Sequence, residues 1–362
     1  MVLDGKNRLW QICLSVICFL VLLTGCAAEQ DKEQGRKKVS EEQQAEVQFF
    51  AMDTYITFSA YGENAQEYLQ QAQEQILQLE KKWSVTEADS DIYKVNHSSG
   101  KSVAVSEETK ELLSFALQMA EKTDGALEPT IYPVLSAWGF TTDKKRVPEK
   151  SEIAQLLEKV DFRKISLEGN GIRLEPGMML DIGAVGKGYA GDTVIGLLKE
   201  KGITSALLDL GGNIQTIGKK PDGSDWQIGL QDPESDGSLG VLSISDRAVV
   251  TSGNYERYFT GEDGKIYGHI INPETGYPAE SGLLSVTVIA QEGKLCDALS
   301  TSLFVMGLDR AVNYWREHQN FEMILITEDG EIHLTEGIKD QFVLESDYNG
   351  REINVILQED GG

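Results

Sequence analysis

The stretch Cys296-Asp-Ala-Leu-Ser-Thr-Ser-Leu-Phe-Val-Met-Gly307 reads as a helix that stops at a glycine. Asp297 and Thr301 are four residues apart, so their side chains lie one above the other on a single face. A carboxylate and a hydroxyl stacked in this way offer two hard oxygens to a small cation such as Mg²⁺. Taken alone, the same spacing also describes a helix with a polar stripe turned to water. The rest of the chain decides between these readings.

The flanking sequence alternates between short strands and helices. Val47 to Tyr61 contains a strand in which Ile56, Phe58 and Ala60 alternate with polar or aromatic neighbours. Ala65, Leu69, Ala72, Ile76, Leu79 and Trp83 recur at helical spacing and predict an amphipathic helix. Ser106, followed by Glu107 and Glu108, predicts a second helix that stops at Gly125. A third is expected over Tyr189 to Lys201. Strands are expected over Ala206 to Leu210, Val241 to Ile244 and Leu284 to Ala290. Met323 to Thr327 and Glu331 to Thr335 flank Asp329-Gly330 as a hairpin. No regular strand-helix-strand rhythm runs through these elements. The fold class is therefore α+β, mainly antiparallel sheets with flanking helices, with a cleft between two lobes.

The first residues are not part of that fold. Lys6 and Arg8 precede an apolar run from Leu9 to Leu23, which is too short for a comfortable membrane span. Leu23-Thr-Gly-Cys26 follows and looks like a bacterial lipobox, with Cys26 as the lipidated residue. Residues 1–25 are then a lipoprotein signal peptide and 26–46 a flexible tether rich in Glu, Gln and Lys. Residues 47–362 are then expected to be the folded domain. The expected location is the bacterial cell membrane, lipid-anchored and facing outside the cytoplasm. Of four cysteines, Cys13 and Cys18 leave with the signal and Cys26 is acylated, so Cys296 has no disulfide partner.

The formal net charge is −25. So acidic a chain is unsuited to nucleic acid, and it makes a bound divalent cation useful wherever a phosphate has to be held. No His/Cys group has zinc spacing and no Gly-x-Ser-x-Gly elbow is present. Asp181-Ile-Gly-Ala-Val-Gly-Lys-Gly-Tyr-Ala-Gly-Asp192 reads as a glycine-rich turn leading into a helix, where Lys187 can pair with a phosphate. It is not a Walker A loop, because Gly188 stands where Ser or Thr is needed. Leu208-Asp-Leu-Gly-Gly-Asn213 runs a strand into a tight bend. Thr251-Ser-Gly-Asn-Tyr-Glu-Arg-Tyr258 and His269-Ile-Ile-Asn-Pro-Glu-Thr-Gly-Tyr-Pro278 are polar loops between strands. His269 is the candidate among four histidines; His97, His318 and His333 sit in polar, surface-like contexts. A lone histidine is more often structural than catalytic.

Taken in order, Met52-Asp-Thr54, Asp124-Gly-Ala-Leu-Glu-Pro-Thr130, Trp138-Gly-Phe140, the Asp181 to Tyr189 segment, Leu210-Gly-Gly-Asn213, Thr251-Ser-Gly-Asn-Tyr255, the His269 to Pro278 loop and Asp297-Ala-Leu-Ser-Thr301 are specific. The chain resembles the FAD:protein FMN transferase family, also called ApbE. The resemblance implies Mg²⁺-dependent transfer of the FMN half of FAD onto a threonine hydroxyl of an acceptor protein, with AMP leaving. It implies Asp297, Thr301 and the Ala184 carbonyl as Mg²⁺ ligands, and Asp181 and Lys187 as FAD contacts. Met52 and the stretch Ala126, Leu127, Glu128 match parts of the flavin nucleotide pocket. His269 and Ile270 lie in the loop over the pyrophosphate side, and His269 is the candidate to take the proton of the incoming threonine. Two departures stand out. Glu128 replaces the usual aspartate before Pro-Thr, and Thr86 stands near the place of a tyrosine that stacks on adenine, with Trp83 and Tyr93 as the neighbouring aromatics. The implied partners are exported or membrane-bound electron-transfer proteins. Two alternatives use the same pocket: a Mg²⁺-dependent FAD pyrophosphatase, and a flavin-binding lipoprotein without catalysis.

Overall fold

The computed structural model describes residues 44–142, 144–348 and 350–358. The expected signal peptide, Cys26 and most of the expected tether lie outside the described residues. Val47 to Tyr61, expected to hold one strand, holds parts of two. Gln44–Ala51 and Thr54–Tyr61 pair antiparallel, with Ala51 opposite Thr54. Met52 and Asp53 between them have φ of 52° and 59°. Two successive left-handed residues are what a two-residue type I′ hairpin turn requires. Because the first strand starts at Gln44, residues 44–46 belong to the sheet rather than to the tether.

This hairpin forms one edge of a nine-stranded sheet. Next come Ser205–Leu210, Asn213–Ile217, Ala248–Gly253, Leu283–Ala290, Glu322–Thr327, Ile332–Thr335 and Ile353–Ile356. Each neighbouring pair is antiparallel except the last, where Ile332–Thr335 and Ile353–Ile356 run parallel. The fold is thus α+β and mainly antiparallel, as the sequence predicts.

Alternation along the strands sorts their side chains between two cores. Ala248 and Val250 face the main core, while Val249 faces a second one. The main core is roofed by helices. Ala65–Trp83 buries the six residues that its periodicity selects: Ala65, Leu69, Ala72, Ile76, Leu79 and Trp83. Glu107–Lys122 starts at Ser106, whose hydroxyl accepts from the Thr109 amide. Gly183–Glu200 and Gly293–Met306 complete this layer, with Leu308–His318 beside them. On the opposite face, a small sheet of Trp226–Gln231, Ser238–Ile244 and Phe342–Leu344 covers Val249, Ile289, Ile324 and Ile326.

A third, smaller cluster gathers around Trp138, with Val134, Ile153 and Ile271 buried and Phe140, Phe259, Tyr267 and Tyr277 packed on it. The Trp138 indole donates to the Gly276 carbonyl at 2.8 Å, which satisfies a donor that burial would otherwise orphan. Ile270 belongs to the main core and Ile271 to the Trp138 cluster. The chain at His269 therefore runs along the seam between the two.

One expectation needs correction. The third helix begins at Gly183, not near Tyr189, so the glycine-rich segment read as a turn is helical from Gly183 onward. Glycine is a poor helix former; tertiary packing overrides that preference, for reasons the site makes plain.

Candidate active site

The helices Gly183–Glu200 and Gly293–Met306 pack against each other through glycine. A methyl group on Gly188 would overlap the Gly293 carbonyl. A methyl on Gly191 or on Gly293 would overlap the Gln215 side-chain amide. Gln215 reaches up from the sheet, and its Nε2 donates to the Gly188 carbonyl at 3.0 Å. Asp192 fixes the second helix from the first. Its carboxylate accepts from the amides of Gly293 at 2.6 Å and Lys294 at 3.0 Å. Those are the first two amides of that helix, which have no partner within it. The cap thus comes from another element rather than from Glu292, the local N-cap residue, which makes no side-chain cap bond. Burial pushes the Asp192 pKa up to about 6 against the pull of those two amides.

The crossing brings Asp297 against the start of the Gly183 helix. Asp297 Oδ2 accepts from the Gly188 amide at 2.8 Å, and the residue is only 4% exposed. Burial raises its pKa, while the Lys187 ammonium and the Gly188 and Lys187 amides pull the other way. Asp192 meets Gly293 and Gly188 meets Asp297, so one turn back on the first helix matches one turn forward on the second. One further turn along each helix lie Ala184 and Thr301. Thr301 Oγ1 lies 3.3 Å from the Ser252 hydroxyl, which in turn donates to Ser300 at 2.9 Å. Among the described residues no group of three His, Cys, Asp or Glu is placed to hold a metal ion. What this place offers instead is one carboxylate, hydroxyls and backbone carbonyls. That all-oxygen set suits Mg²⁺ and does not suit zinc. A buried carboxylate held mainly by amides and one lysine also fits a cation, which would offset its desolvation.

Lys187 and Glu256 are the charged groups that act on Asp297. Asp181 Oδ1 accepts from the Gly183 amide at 2.8 Å at the helix start. The Asp181 amide donates to the Pro129 carbonyl at 2.8 Å, which ties Ala126–Thr130 to this helix end. Burial raises the Asp181 pKa, against the Gly183 amide and Arg257. His269 Nδ1 lies 3.2 Å from the Arg257 carbonyl. A carbonyl only accepts, so Nδ1 carries the proton and Nε2 is left as an acceptor. Burial, with Arg257 and Lys187 nearby, pushes the His269 pKa down to about 4. The same ring meets Phe140 edge-on at 6.5 Å.

Glu256 and Arg257 are two charged residues of this neighbourhood that the sequence reading did not single out. Glu256 is exposed on the surface, yet crowding by protein pushes its pKa up to about 7, against the pull of Lys187 and Arg257. Water reaching the residue screens part of that effect. The only hint in sequence was a pair of adjacent opposite charges in the loop from Thr251 to Tyr258.

Other expected residues stand further out. The Met52 amide donates to Glu80 at 2.6 Å, and Glu80 lies in the last turn of the helix that ends at Trp83. Trp83 is buried and meets Tyr189 edge-on at 5.8 Å, so its face is not open for stacking. Tyr93 already stacks on His97 at 3.8 Å. The Glu128 carboxylate is engaged by its own loop and by the turn at Phe162. Oε1 accepts from the Thr130 amide at 2.8 Å and hydroxyl at 2.6 Å, and Oε2 from the Phe162 amide at 3.1 Å. Ala126 and Leu127 are buried, and Ala126 lines a small cavity with Gly125, Asn272, Pro273, Glu274, Val305 and Arg310. Ile270 is buried in the main core. His97 and His318 are exposed, and His333 is half-buried beside Glu331 at 3.0 Å.

Residues 52–325 match the ApbE family. The chain is similar to a Treponema pallidum protein named FAD:protein FMN transferase, with 31% identity over 355 residues, covering 92% of this chain and 95% of that one. A Klebsiella pneumoniae protein of the same name is 33% identical over 258 residues, covering 70% of this chain and 79% of that one. Among solved structures, the ApbE protein of Thermotoga maritima superposes with a TM-score of 0.78 at 33% identity, covering 83% of this chain and 99% of that one. The flavin transferase ApbE of Vibrio cholerae gives a TM-score of 0.75 at 26% identity, covering 83% and 99%. The match runs from the Met52 turn through the helix of Asp297 and Thr301 to the strand of Leu325, and on it this chain belongs to the ApbE family.

Proposed function

We propose that this chain is a FAD:protein FMN transferase that uses Mg²⁺, moves the FMN half of FAD onto a threonine hydroxyl of an acceptor protein and releases AMP. The observation that carries this reading is the buried Asp297 carboxylate, which accepts from the Gly188 amide beside Lys187, while Lys187 and Arg257 both act on His269. Asp297, Thr301 and the Ala184 carbonyl would hold the metal. Bound there, Mg²⁺ supplies Lewis-acid neutralisation of the pyrophosphate.

The chain's own groups do the rest. Lys187 and the positive end of the Gly183 helix dipole orient the anionic pyrophosphate. Arg257 adds a second positive charge, which counters the repulsion between the anion and a chain of net charge −25. In the reaction the threonine oxygen forms a bond to the flavin-side phosphorus. The bond from that phosphorus to the bridging oxygen breaks, and its electron pair leaves with AMP. The threonine proton passes to His269 Nε2, whose lone pair is kept available by the bond from Nδ1 to the Arg257 carbonyl. The pyrophosphate's negative charge beside His269 raises its basicity, offsetting the two cations that depress it in the free protein.

The test is to mix the purified chain, FAD, Mg²⁺ and a threonine-bearing acceptor and to follow the acceptor's intact mass. A gain of one FMN supports transfer. Free FMN and AMP with an unmodified acceptor would mean hydrolysis, and FAD recovered intact would mean binding without chemistry. The same proposal places the chain outside the cytoplasm, held to the membrane by a lipid on Cys26, where exported or membrane-bound electron-transfer proteins are the acceptors.

A further inference from the structure

Asn213 closes the hairpin bend Leu210-Gly-Gly-Asn213 and opens the strand Asn213–Ile217. It is 1% exposed, and its Nδ2 has no hydrogen-bond partner. A buried donor without an acceptor costs about 1–3 kcal/mol, so it points to something that completes it.

Its direction follows from its neighbours. Asn213 and Gln215 lie on the same face of the strand, two residues apart. Gln215 Nε2 donates to the Gly188 carbonyl at 3.0 Å and faces Asn213 Oδ1 at 3.4 Å. Turning the Asn213 amide over would set two donors against each other, so Oδ1 faces Gln215 and Nδ2 points away from it. In the register of the sheet, Gln215 stands opposite Ala248 and Asn213 opposite Val250. One pleat further along that neighbouring strand, on the same face, is Ser252, which touches Ser300 and Thr301. Nδ2 therefore points from the Gly188 level toward the level of Thr301, on the face covered by the helices of Ala184 and Asp297. A short chain of contacts joins it to the metal-side carboxylate: Asp297 to the Gly188 amide, the Gly188 carbonyl to Gln215, and Gln215 to Asn213.

We infer that Asn213 is a substrate-binding residue whose Nδ2 donates directly to a pyrophosphate oxygen of FAD. The inference rests on the flavin-transferase reading and adds a residue to its site. A side-chain amide is suited to that position: it is a neutral donor that does not compete with Mg²⁺ for Asp297. No protein group accepts from this amide, and the bound anion would supply the acceptor.

The experiment compares the full-length chain with Asn213→Ala and the isosteric Asn213→Asp. FAD affinity is measured by quenching of flavin fluorescence, once in EDTA and once in Mg²⁺, with Tm measured without ligand. Loss of a hydrogen bond to a charged oxygen predicts an FAD Kd about 10- to 100-fold higher for Asn213→Ala in both buffers. Asn213→Asp is weaker still, because it sets a carboxylate against the anion. The ligand-free Tm of Asn213→Ala stays within about 3 °C of the parent, since no protein group pairs with the donor removed and Gln215 keeps its shorter bond to the Gly188 carbonyl. An unchanged FAD Kd would overturn the inference, above all with a large fall in ligand-free Tm, which marks a purely structural residue. A loss seen only with Mg²⁺ would also overturn it, by assigning Nδ2 to metal-held water. If the parent chain itself fails to bind FAD, the functional reading falls and this assignment falls with it.

Discussion

Asp297 is a buried carboxylate whose ionised form the folded protein disfavours. Asparagine in its place can still accept from the Gly188 amide without the charge. Asp297→Asn is therefore expected to leave the ligand-free Tm unchanged or raised, while flavin transfer falls by about 100-fold or more. Thermal melting and acceptor mass read the two effects separately; a variant that transfers normally would remove Asp297 from the mechanism. His269 makes a different kind of prediction. Its pKa is about 4 in the fold, against about 6.5 when unfolded. Between those values the unfolded chain binds a proton that the folded chain does not. The stability tied to the neutral ring is complete above about pH 6.5 and is lost as the pH falls through 4. The parent should lose more Tm between pH 7 and pH 5 than His269→Gln does, while the variant loses transfer activity at every pH. Equal acid sensitivity of the two proteins would show that the ring titrates normally.

At the scale of elements, two features place Asp297. Asp192 caps the helix that carries it, and glycines let that helix approach. Asp192→Ala leaves the first two amides of the Gly293 helix unpaired and should cost about 1–2 kcal/mol. It should also weaken Mg²⁺ binding, because Asp297 lies only one turn into that helix. Gly188→Ala should be more severe in both respects, since its methyl meets backbone rather than a flexible side chain. Urea melts together with Mg²⁺ titrations check both variants, and Gly188→Ala with parental stability would disprove the close crossing.

For the whole molecule, the described fold begins with the edge strand Gln44–Ala51. A chain starting at Gln44 is expected to keep its Tm and its transfer activity. One starting at Met52 loses the edge strand, uncovers Thr54–Tyr61 and melts well below it. Cys26→Ala should release the otherwise active chain from the membrane fraction. Retention on membranes in that variant would count against the lipid anchor.

Much was legible from local chemistry. The helix Ala65–Trp83 and its buried face follow from apolar spacing alone, because a stripe at that period can be buried only as a helix. Ser106 announced its helix by capping. Asp297 and Thr301 could be paired because they share one helix, and their i, i+4 spacing is itself a distance. The glycine-rich segment was misread as a turn. Glycine's low helix propensity is a local quantity, whereas the contact that makes glycine necessary, with the Gly293 helix more than a hundred residues away, is not. The same limit hid Glu256, Arg257 and the unpaired amide of Asn213. Residue types and their order fixed the candidates, but burial and long-range approach arise only when distant segments pack, and those decide which groups meet, which are desolvated and which are left waiting for a partner.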